Sequence, residues 1–271
     1  MLVGLPSSSA VAADDGPAHP TNSGRCVIDH STSNTRFVPL GDQAVLAYFA
    51  DEPSAVRFAA VLRAAAPPWL HDVVPAYASV GVFFDANAIG PNEVMGWLEI
   101  SRDAESAERS APLRGLRVAA NLSASDDSSK TQFTIPVCYE FQLDLPRVCE
   151  HTGLSPDEVI RLHTSLEYTV YAIGFVPGFP YLGYLPEELC GVPRLDSPRL
   201  KVEPGSVGLT GRQTGIYPLA RPGGWSLFGR TPLTIVDVKD GFFPLRVGDR
   251  VRFERIDQQR YRELEGERLV Q

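Results

Sequence analysis

The fold of this chain is decided by residues 204–233, which read PGSVGLTGRQTGIYPLARPGGWSLFGRTPL. Glycines and prolines interrupt this stretch every few residues, and the short apolar runs between them predict β-strands. In the later run DRVRFERI, the apolar Val251 and Phe253 alternate with charged residues, as in a half-buried strand. Short strands broken by glycine and proline, with no long helix among them, favour a closed β-barrel. The predicted strands are SVGLT, GIYPL, WSLFG, LTIVDV and DRVRFERI.

A second unusual stretch, GFVPGFPYLGY at residues 174–184, precedes all five of these strands. Proline removes a backbone donor, and glycine weakens a helix or strand where no special conformation is needed. Both residue types, interleaved with aromatic rings, therefore predict a shaped loop. Because shaped loops often carry function, we expect this one to belong to a site.

The barrel domain is assigned to residues 131–257 and is predicted to begin with the strand QFTIPVCY and two short helices. Asp144 is expected to cap the first helix. The run SPDEV then supplies Ser155 as N-cap, Pro156 at the first helical position and a capping box. These signals predict a second helix from Pro156 to about Ser165.

Residues 34–112 have a different pattern, in which pairs of strands alternate with helices. The predicted strands are RFVPL, AVLAYFA, DVVPAYAS and VGVFFDA, and the predicted helices are PSAVRFAAVLRAAA and PNEVMGWLEISRDA. In the first helix, Val56, Ala60 and Ala64 are predicted to share one stripe. This order predicts a small α+β layer of ferredoxin-like type.

The remaining segments are predicted to flank or connect these two domains. Residues 1–33 are rich in small and polar residues and predict a disordered tail. Residues 113–130 are polar and weakly patterned and predict a linker, with a short strand around residues 116–119. Residues 258–271 are assigned to a C-terminal tail.

The composition of the whole chain limits the classes of partner. With 271 residues, of which 44% are hydrophobic and 21% charged, the chain can form one large or two ordinary cores. Its net charge of -8 argues against a general role on nucleic acid or on an acidic membrane, because both would repel it. No uninterrupted apolar run approaches the length of about 18 residues that is needed to span a bilayer.

The cysteines and histidines give no metal signature. No C-x-x-C pair and no H-E-x-x-H motif is present, so we expect neither a metal site nor a disulfide framework. The N-terminal run AVAA resembles a signal cleavage site, but no lysine or arginine precedes it. These features predict a cytoplasmic protein.

Positive charge is concentrated between Arg194 and Thr231, where six basic and two acidic residues give a local charge of +4. This segment is either a solvated basic face or a pocket in which arginine grips a small carboxylate or phosphate. The six basic residues are Arg194, Arg199, Lys201, Arg212, Arg221 and Arg230.

Standard catalytic motifs are absent from the sequence. Ser206 in PGSVG lacks the first glycine and the context of a nucleophile elbow, and is read as a turn residue. Neither a P-loop nor a G-x-G-x-x-G fingerprint is present, so any nucleotide must bind in another way. His163 is read as a core histidine or a site residue. Tyr181, Tyr217 and Trp225 are read as barrel core or as a wall facing a ligand.

The runs YAIGFVPGFPYLGYLP, PGSVGLTGRQTGIYPLARPGGWSLFGRTPL and RVGDRVRF resemble the family of the 5-oxoprolinase B subunit. This family is also called allophanate hydrolase subunit 1 or the KipI-like carboxyltransferase domain, and the resemblance covers about residues 35–256. It implies an α+β fold with an N-terminal ferredoxin-like domain and a C-terminal cyclophilin-like β-barrel. It also implies a partner, the C subunit of 5-oxoprolinase, which is of the allophanate hydrolase subunit 2 type.

The resemblance implies that the B and C subunits together use ATP to activate 5-oxoproline, and that an A subunit completes ring opening to L-glutamate. Two alternatives within the family are a urea or amide carboxylation subunit and an inhibitor of a sensor histidine kinase. This chain also departs from the family, because residues 137–141 read VCYEF where members commonly have VCYGG. The loop at residues 174–184 would lie at a cleft rim near the partner.

The arginines within the family motifs predict a cleft, shared with the partner subunit, that binds a small anionic substrate. Arginine can bind a carboxylate or a phosphate there. Gln213 would add an amide able to pair with a lactam, and Tyr217 a ring wall with a hydroxyl. The predicted site residues are His163, Arg199, Gln213, Tyr217 and Arg230.

Overall fold

In a computed structural model, the chain is described over residues 35–102, 131–141 and 143–270. The predicted tail 1–33 and the predicted linker 113–130, with its short strand, lie outside the described residues. None of the described helices is both long and apolar enough to cross a membrane.

The strands are β1 (Arg36–Pro39), β2 (Ala44–Tyr48), β3 (Leu70–Ala76), β4 (Ser79–Phe84), β5 (Gln132–Cys138), β6 (Glu167–Ile173), β7 (Pro180–Gly183), β8 (Arg199–Val202), β9 (Ser206–Thr210), β10 (Gln213–Ile216), β11 (Arg221–Gly223), β12 (Ser226–Arg230) and β13 (Arg250–Ile256).

Seven of the described strands close into a β-barrel, as the sequence predicts. Their order is β6-β13-β5-β12-β9-β10-β7, and the pairing of β7 with β6 completes the ring. The pair β13 and β5 is parallel, whereas the other neighbours are antiparallel. The closed ring leaves no free edge among these strands. A separate two-stranded ribbon of β8 and β11 packs beside it.

One predicted barrel strand, LTIVDV at residues 233–238, is wrong. This segment makes only isolated bridges, from Thr234 to Arg268 and from Asp237 to Phe242. Ile235 and Val236 are both buried in the barrel core, although the segment pairs with none of the barrel strands. The segment is therefore a loop that packs its apolar residues on the barrel core.

The helices of the barrel domain begin where the capping signals predict. Ser155 Oγ accepts from the backbone N–H of Glu158, and a Glu158 carboxylate oxygen accepts from the Ser155 N–H at 2.9 Å. Asp144 lies at the N-cap of the preceding helix, but its side chain makes no capping hydrogen bond. The helices are α1 (Glu52–Ala65), α2 (Pro91–Arg102), α3 (Leu145–Thr152), α4 (Pro156–Thr164) and α5 (Gln258–Leu264).

The N-terminal layer is a four-stranded antiparallel sheet in the order β1-β2-β4-β3, with α1 and α2 packed on it. The stripe predicted for α1 is displaced by one position. The structure buries Ala55, Ala59 and Leu62, whereas Ala60 and Ala64 are exposed. Two alanines at a spacing of four allow the helix backbone to approach the sheet closely.

The N-terminal sheet continues into the barrel at its β3 edge. Ala76 pairs with Ala172 of β6, and the next N–H, that of Tyr77, donates to the Tyr171 carbonyl at 3.3 Å. On a neighbouring part of the barrel, the Tyr184 hydroxyl donates to Glu52 in the first turn of α1. These contacts carry the turn between β3 and β4 onto the outer surface of the barrel.

The segment assigned to a C-terminal tail contains the helix α5 and packs against the barrel. Asp257 caps this helix by accepting from the Arg260 N–H at 2.7 Å, and Tyr261 on it contacts the Phe141 ring. Leu269 is buried in the barrel core. Residues 258–270 therefore contribute to the fold of the barrel domain.

Candidate functional site

Two glycines flatten the outer surface of the barrel between β9 and β10. Gly208 and Gly215 are direct cross-strand partners. Val207 and Leu209, on either side of Gly208, belong to the core inside the barrel. A Cβ atom added at Gly215 would lie only 3.0 Å from the Phe179 ring. The absence of side chains therefore lets aromatic rings lie directly on the sheet.

Four rings, which we call the aromatic wall, cover this flat area. Phe179 is at the centre, with ring centroids 4.8 Å from Tyr181, 5.2 Å from Tyr217 and 5.4 Å from Trp225. All three pairs meet edge to face, the arrangement that the ring quadrupole favours. The wall is a packed cluster separate from the core inside the barrel, so Tyr181, Tyr217 and Trp225 do not belong to that core. That these rings face a ligand stays a prediction.

The loop at residues 174–179 holds Phe179 in place, and it is shaped as the sequence predicts. Phe175 has φ of 68° and Gly178 has φ of 74°, both in the left-handed region. A Cβ at Gly178 would lie 2.2 Å from Val236 Cγ2, so no larger residue fits there. Phe175 is 58% exposed and its ring contacts the wall at Phe179 and Tyr217.

Tyr77 reaches this surface from the N-terminal sheet. Its φ of 55° is unusual for a residue with a large side chain, and it turns the ring towards the barrel. The ring centroid lies 5.8 Å from that of Tyr181, and the hydroxyl faces the side-chain amide of Gln213. Burial raises the pKa of the Tyr77 hydroxyl, which therefore stays neutral.

Arg194 brings a positive charge to the same place. Burial raises the pKa of the Tyr77, Tyr181 and Tyr217 hydroxyls, and the charge of Arg194 opposes this rise in each case. The side chain of Arg194 is exposed. We call these five residues, Tyr77, Tyr181, Arg194, Gln213 and Tyr217, the outer-face cluster.

The predicted site residues are only partly brought together. Gln213 and Tyr217 belong to the outer-face cluster. Arg199 lies behind the wall, where it forms an ion pair with Asp144 at 2.5 Å and donates to the Trp225 carbonyl at 3.4 Å. Asp144 also accepts from the Leu227 N–H at 2.6 Å, so this pair ties the ribbon to the barrel. Arg199 is thus already engaged within the protein.

Arg230 is also engaged, at a different turn. Its Nε donates to the Pro204 carbonyl at 3.1 Å, and its side chain covers Gly205. No contact within the described residues joins Arg230 to the outer-face cluster. Its role in ligand binding stays a prediction, which the variants discussed below can test.

His163 lies inside the barrel with none of its surface exposed. The Tyr139 hydroxyl lies 2.8 Å from Nδ1, and Nε2 lies 3.0 Å from Thr214 Oγ1, which donates to the Gly208 carbonyl. Since Thr214 has one proton, Nε2–H must donate to it and Nδ1 must accept from Tyr139. Burial lowers the pKa of His163 to about 3, so the ring is neutral and its contacts are those of a core histidine.

Sequence reasoning did not single out Tyr77, and it included Arg194 only as one of several basic residues. Tyr77 lies in an ordinary strand pattern, and its position depends on the tertiary pairing of Ala76 with Ala172. Tyr139 and Thr214 were also missed, because partners of a buried histidine leave no local pattern. The positive φ of Tyr77 becomes visible only in the structure.

The described residues hold no metal cluster, and they form a groove away from the aromatic wall. No group of three or more His, Cys, Asp or Glu side chains is placed to hold a metal ion. A separate groove of about 450 Å³ lies between β3 and the barrel, and it contains none of the predicted site residues. The groove is lined by Arg63, Asp72, Val73, Val74, Pro75, Ile173, Leu245, Arg246 and Val247.

Solved structures share this fold. The protein TTHA0988 is 33% identical with a TM-score of 0.59, and the match covers 79% of this chain but only 40% of that one. The Kluyveromyces lactis urea amidolyase has a TM-score of 0.57 over 85% of this chain and 15% of its own. At 17% identity, the second likeness concerns the fold alone.

Sequence comparisons identify the family. The model of the carboxyltransferase domain, subdomain C and D, matches residues 35–241. The 5-oxoprolinase B subunit of Bacillus subtilis is 38% identical over 82% of this chain and 93% of that protein. Its counterpart from Escherichia coli O157:H7 is 56% identical over 41% of this chain and 50% of its own length. The chain therefore belongs to the carboxyltransferase-domain family that includes the proteins named as B subunits of 5-oxoprolinase.

Proposed function

We propose that this chain is the B subunit of an ATP-dependent 5-oxoprolinase, and that it acts with a C subunit to activate 5-oxoproline for ring opening to L-glutamate. The observation that carries the proposal is the 38% identity to the Bacillus subtilis protein of that name, which extends over 93% of its length. The name of a subunit implies an assembly, so the proposed reaction belongs to the complex.

The chemistry of the outer-face cluster supports this substrate. 5-Oxoproline carries one carboxylate and one lactam amide on a small ring. The cluster offers a guanidinium on Arg194, an amide on Gln213 and hydroxyls on neutral tyrosines, and each can pair with one of these groups. The local charge of +4 between Arg194 and Thr231 has the sign that attracts the anion.

ATP is proposed as a co-substrate shared with the partner protein, since this sequence has neither of the two common nucleotide-binding motifs. It supplies the driving force for opening a stable lactam. We place the complex in the cytoplasm. Cys138, Cys149 and Cys190 are free thiols, which is typical of a reducing compartment.

The loop at residues 174–184 is proposed to contact the C subunit. Phe175 is 58% exposed and Phe243, close to Gly178, is 42% exposed, so two large rings lie at the surface beside the aromatic wall. Exposed aromatic residues are enriched in the cores of protein interfaces. Hydrogen exchange should slow in this loop when the complex forms, and an unprotected loop in a confirmed complex would contradict the proposed contact.

We also infer that the first layer is ferredoxin-like and that the barrel is cyclophilin-like. The order β1-β2-β4-β3, with all neighbours antiparallel, supports the first assignment. The four strands are arranged as in a split β-α-β fold, except that the strand that comes last in that fold comes first in this chain. The barrel with few helices supports the second assignment.

The function can be tested by co-purifying this chain with the C and A subunits produced in the same cells. We expect ATP turnover that depends on 5-oxoproline, with L-glutamate as the product, from the complex and not from this chain alone. Turnover dependent on urea, or none with 5-oxoproline, would contradict the proposed substrate. Robust turnover by the single chain would contradict the requirement for partners.

A further inference from the structure

We infer that the groove between β3 and the barrel binds a small aliphatic carboxylate, with the carboxylate on Arg246 and the aliphatic part on the apolar walls. The groove has a volume of about 450 Å³, within the range of about 300 to 1,000 Å³ that is typical of small-molecule sites. It lies where the N-terminal sheet meets the barrel, and junctions between domains often hold ligands. The groove shares no residue with the outer-face cluster, and the inference does not depend on the proposed function.

Pro75 opens this groove. The strand β3 joins the barrel at its last residue, where Ala76 pairs with Ala172 of β6. In the same antiparallel register, Pro75 comes opposite Ile173, but proline has no N–H with which to extend the ladder. Both residues line the groove, so the two strands separate there instead of pairing. The groove is therefore a consequence of the proline at position 75.

The turn after Leu245 forms the opposite wall, and its backbone is fixed. The Arg246 N–H donates to an Asp249 carboxylate oxygen at 2.7 Å, and the Asp249 N–H donates to the Arg246 carbonyl at 3.1 Å. The Gly248 N–H donates to the Val170 carbonyl at 2.9 Å, which ties the turn to β6. Leu245 is buried in the barrel core. The Arg246 side chain therefore extends from a fixed backbone.

A peptide strand is a poor fit for the groove, because the polar groups of the β3 edge are already used. The Val73 N–H donates to Asp72 Oδ1 at 2.7 Å, and the Val73 carbonyl accepts from the Arg63 guanidinium. Two positions further along the edge, Pro75 has no N–H. Adding a strand requires a row of free N–H and C=O groups. A small molecule held by side chains is therefore the occupant that fits.

The charged groups of the groove favour a ligand with one negative charge. Arg63 and Arg246 contribute two positive charges and Asp72 one negative charge, so the lining has a net charge of +1. The Arg63 guanidinium and the Asp72 carboxylate each have a bond to the Val73 backbone. Among the residues that the structure describes, the exposed Arg246 side chain makes no hydrogen bond or ion pair. Its planar guanidinium can therefore bind a carboxylate with two parallel hydrogen bonds.

The rest of the lining is apolar and suits an aliphatic chain. It consists of Val73, Val74, Pro75, Ile173, Leu245 and Val247. Val74, on the wall formed by β3, is 41% exposed, and covering its surface with methylene groups removes that surface from water. Since none of these six side chains has a hydrogen-bonding group, we expect the body of the ligand to be aliphatic.

The test uses the purified full chain and two probes, pentanoate and its neutral analogue pentanamide, in NMR titrations that follow the methyl groups of Val74, Ile173 and Val247. Pentanoate should shift these signals and bind more tightly than pentanamide. Arg246→Gln should weaken pentanoate binding about tenfold, the value of a hydrogen-bonded charge pair, and leave pentanamide binding unchanged. Val74→Ser should weaken the binding of both probes. Arg252→Gln is the matched control, because Arg252 is an exposed arginine of β13 outside the groove lining.

The outcomes are independent of any enzyme assay, because both probes are tested on the chain itself. If Arg246→Gln binds pentanoate as tightly as Arg252→Gln does, Arg246 is not the anion contact and the inference is wrong. If pentanamide binds the wild-type chain as tightly as pentanoate does, the groove does not select a carboxylate. If pentanoate shifts none of the three methyl signals, the groove binds no aliphatic carboxylate, and the proposed function is unaffected.

Discussion

The inside of the barrel and its outer face both contain tyrosine hydroxyls beside a nitrogen-bearing side chain, but their hydrogen bonds are used differently. Inside, Tyr139, His163 and Thr214 form a chain that ends on the Gly208 carbonyl, and each ring nitrogen of His163 has a partner. Outside, the Arg194 side chain makes no hydrogen bond or ion pair among the described residues, and the Gln213 amide faces the Tyr77 hydroxyl.

This difference indicates which set stabilises the fold and which can bind a ligand. A buried polar chain with all its bonds made internally has nothing left for a ligand, and any break leaves an unsatisfied group. An exposed set with unused donors can exchange water for a ligand without breaking the fold. Substitutions inside should therefore change the free energy of unfolding, and substitutions outside should change ligand affinity.

The largest effect is expected for His163→Ala. It removes a fully buried ring that stacks on Phe253 at 4.4 Å, leaves the Tyr139 hydroxyl without its acceptor, and removes the donor to the Thr214 hydroxyl oxygen. The free energy of unfolding should fall by about 3 to 5 kcal/mol, as for other large buried side chains. Urea unfolding measures this change.

Gln213→Ala is the matched outer-face control for this measurement, since it lies next to Thr214 on β10. It should change the free energy of unfolding by about 0.5 kcal/mol or less. If His163→Ala were as stable as Gln213→Ala and instead lost activity in the complex, His163 would be a site residue and the comparison would fail.

The second prediction distinguishes the two predicted site arginines. Arg199→Ala leaves the buried carboxylate of Asp144 without its ion pair and should lower the free energy of unfolding by about 2 kcal/mol. Arg230→Ala removes one hydrogen bond to a backbone carbonyl and should lower it by less than about 1 kcal/mol. Thermal unfolding of both variants measures this. If Arg199→Ala is as stable as wild type but binds 5-oxoproline at least tenfold more weakly, Arg199 is a ligand contact, as its motif predicts.

The third prediction concerns pH and the barrel interior. His163 has a pKa of about 3 in the folded chain and about 6.5 when unfolded, so between these values the unfolded chain binds the extra proton. Stability due to neutral His163 is therefore fully present above pH 6.5 and is lost as the pH falls below it. Lowering the pH from 7.5 to 5 should remove about 2 kcal/mol.

This pH effect is measured by urea unfolding at both values, together with the NMR signal of the His163 ring. The ring should remain neutral throughout this range. A His163 signal that titrates between pH 6 and 7 in the folded protein would show that the ring is accessible, and it would remove the contrast between the inside and the outer face.

The sequence predicted the parts of the fold that local chemistry determines. The capping box at Ser155, the alternation at Val251 and Phe253, and the shaped loop at residues 174–179 all follow from short-range rules, and the structure confirms them. The family was also recognisable, because its motifs lie in the same glycine-rich segments that shape the barrel.

The predictions that failed concern features that depend on packing between residues far apart in sequence. The run at residues 233–238 has strand propensity, but it makes only isolated bridges while Ile235 and Val236 are buried in the barrel core. The candidate site depends on Tyr77, which belongs to the other domain, and on Arg199 being occupied by Asp144, which lies 55 positions away in sequence. No local pattern distinguishes an occupied arginine from a free one.

The smallest effect is expected for Tyr77→Phe, which keeps the ring against Tyr181 and removes only the hydroxyl that faces the Gln213 amide. The free energy of unfolding should change by less than about 1 kcal/mol, because the hydroxyl lies at a half-buried surface. The affinity of the complex for 5-oxoproline should fall about three- to tenfold, the value of one neutral hydrogen bond, because Gln213 loses the partner that orients it. Titration calorimetry measures this, with Tyr48→Phe, a partly exposed tyrosine on the N-terminal sheet, as control. If Tyr77→Phe binds as tightly as Tyr48→Phe while Gln213→Ala binds weakly, Gln213 acts alone, and the N-terminal sheet contributes only packing to the site.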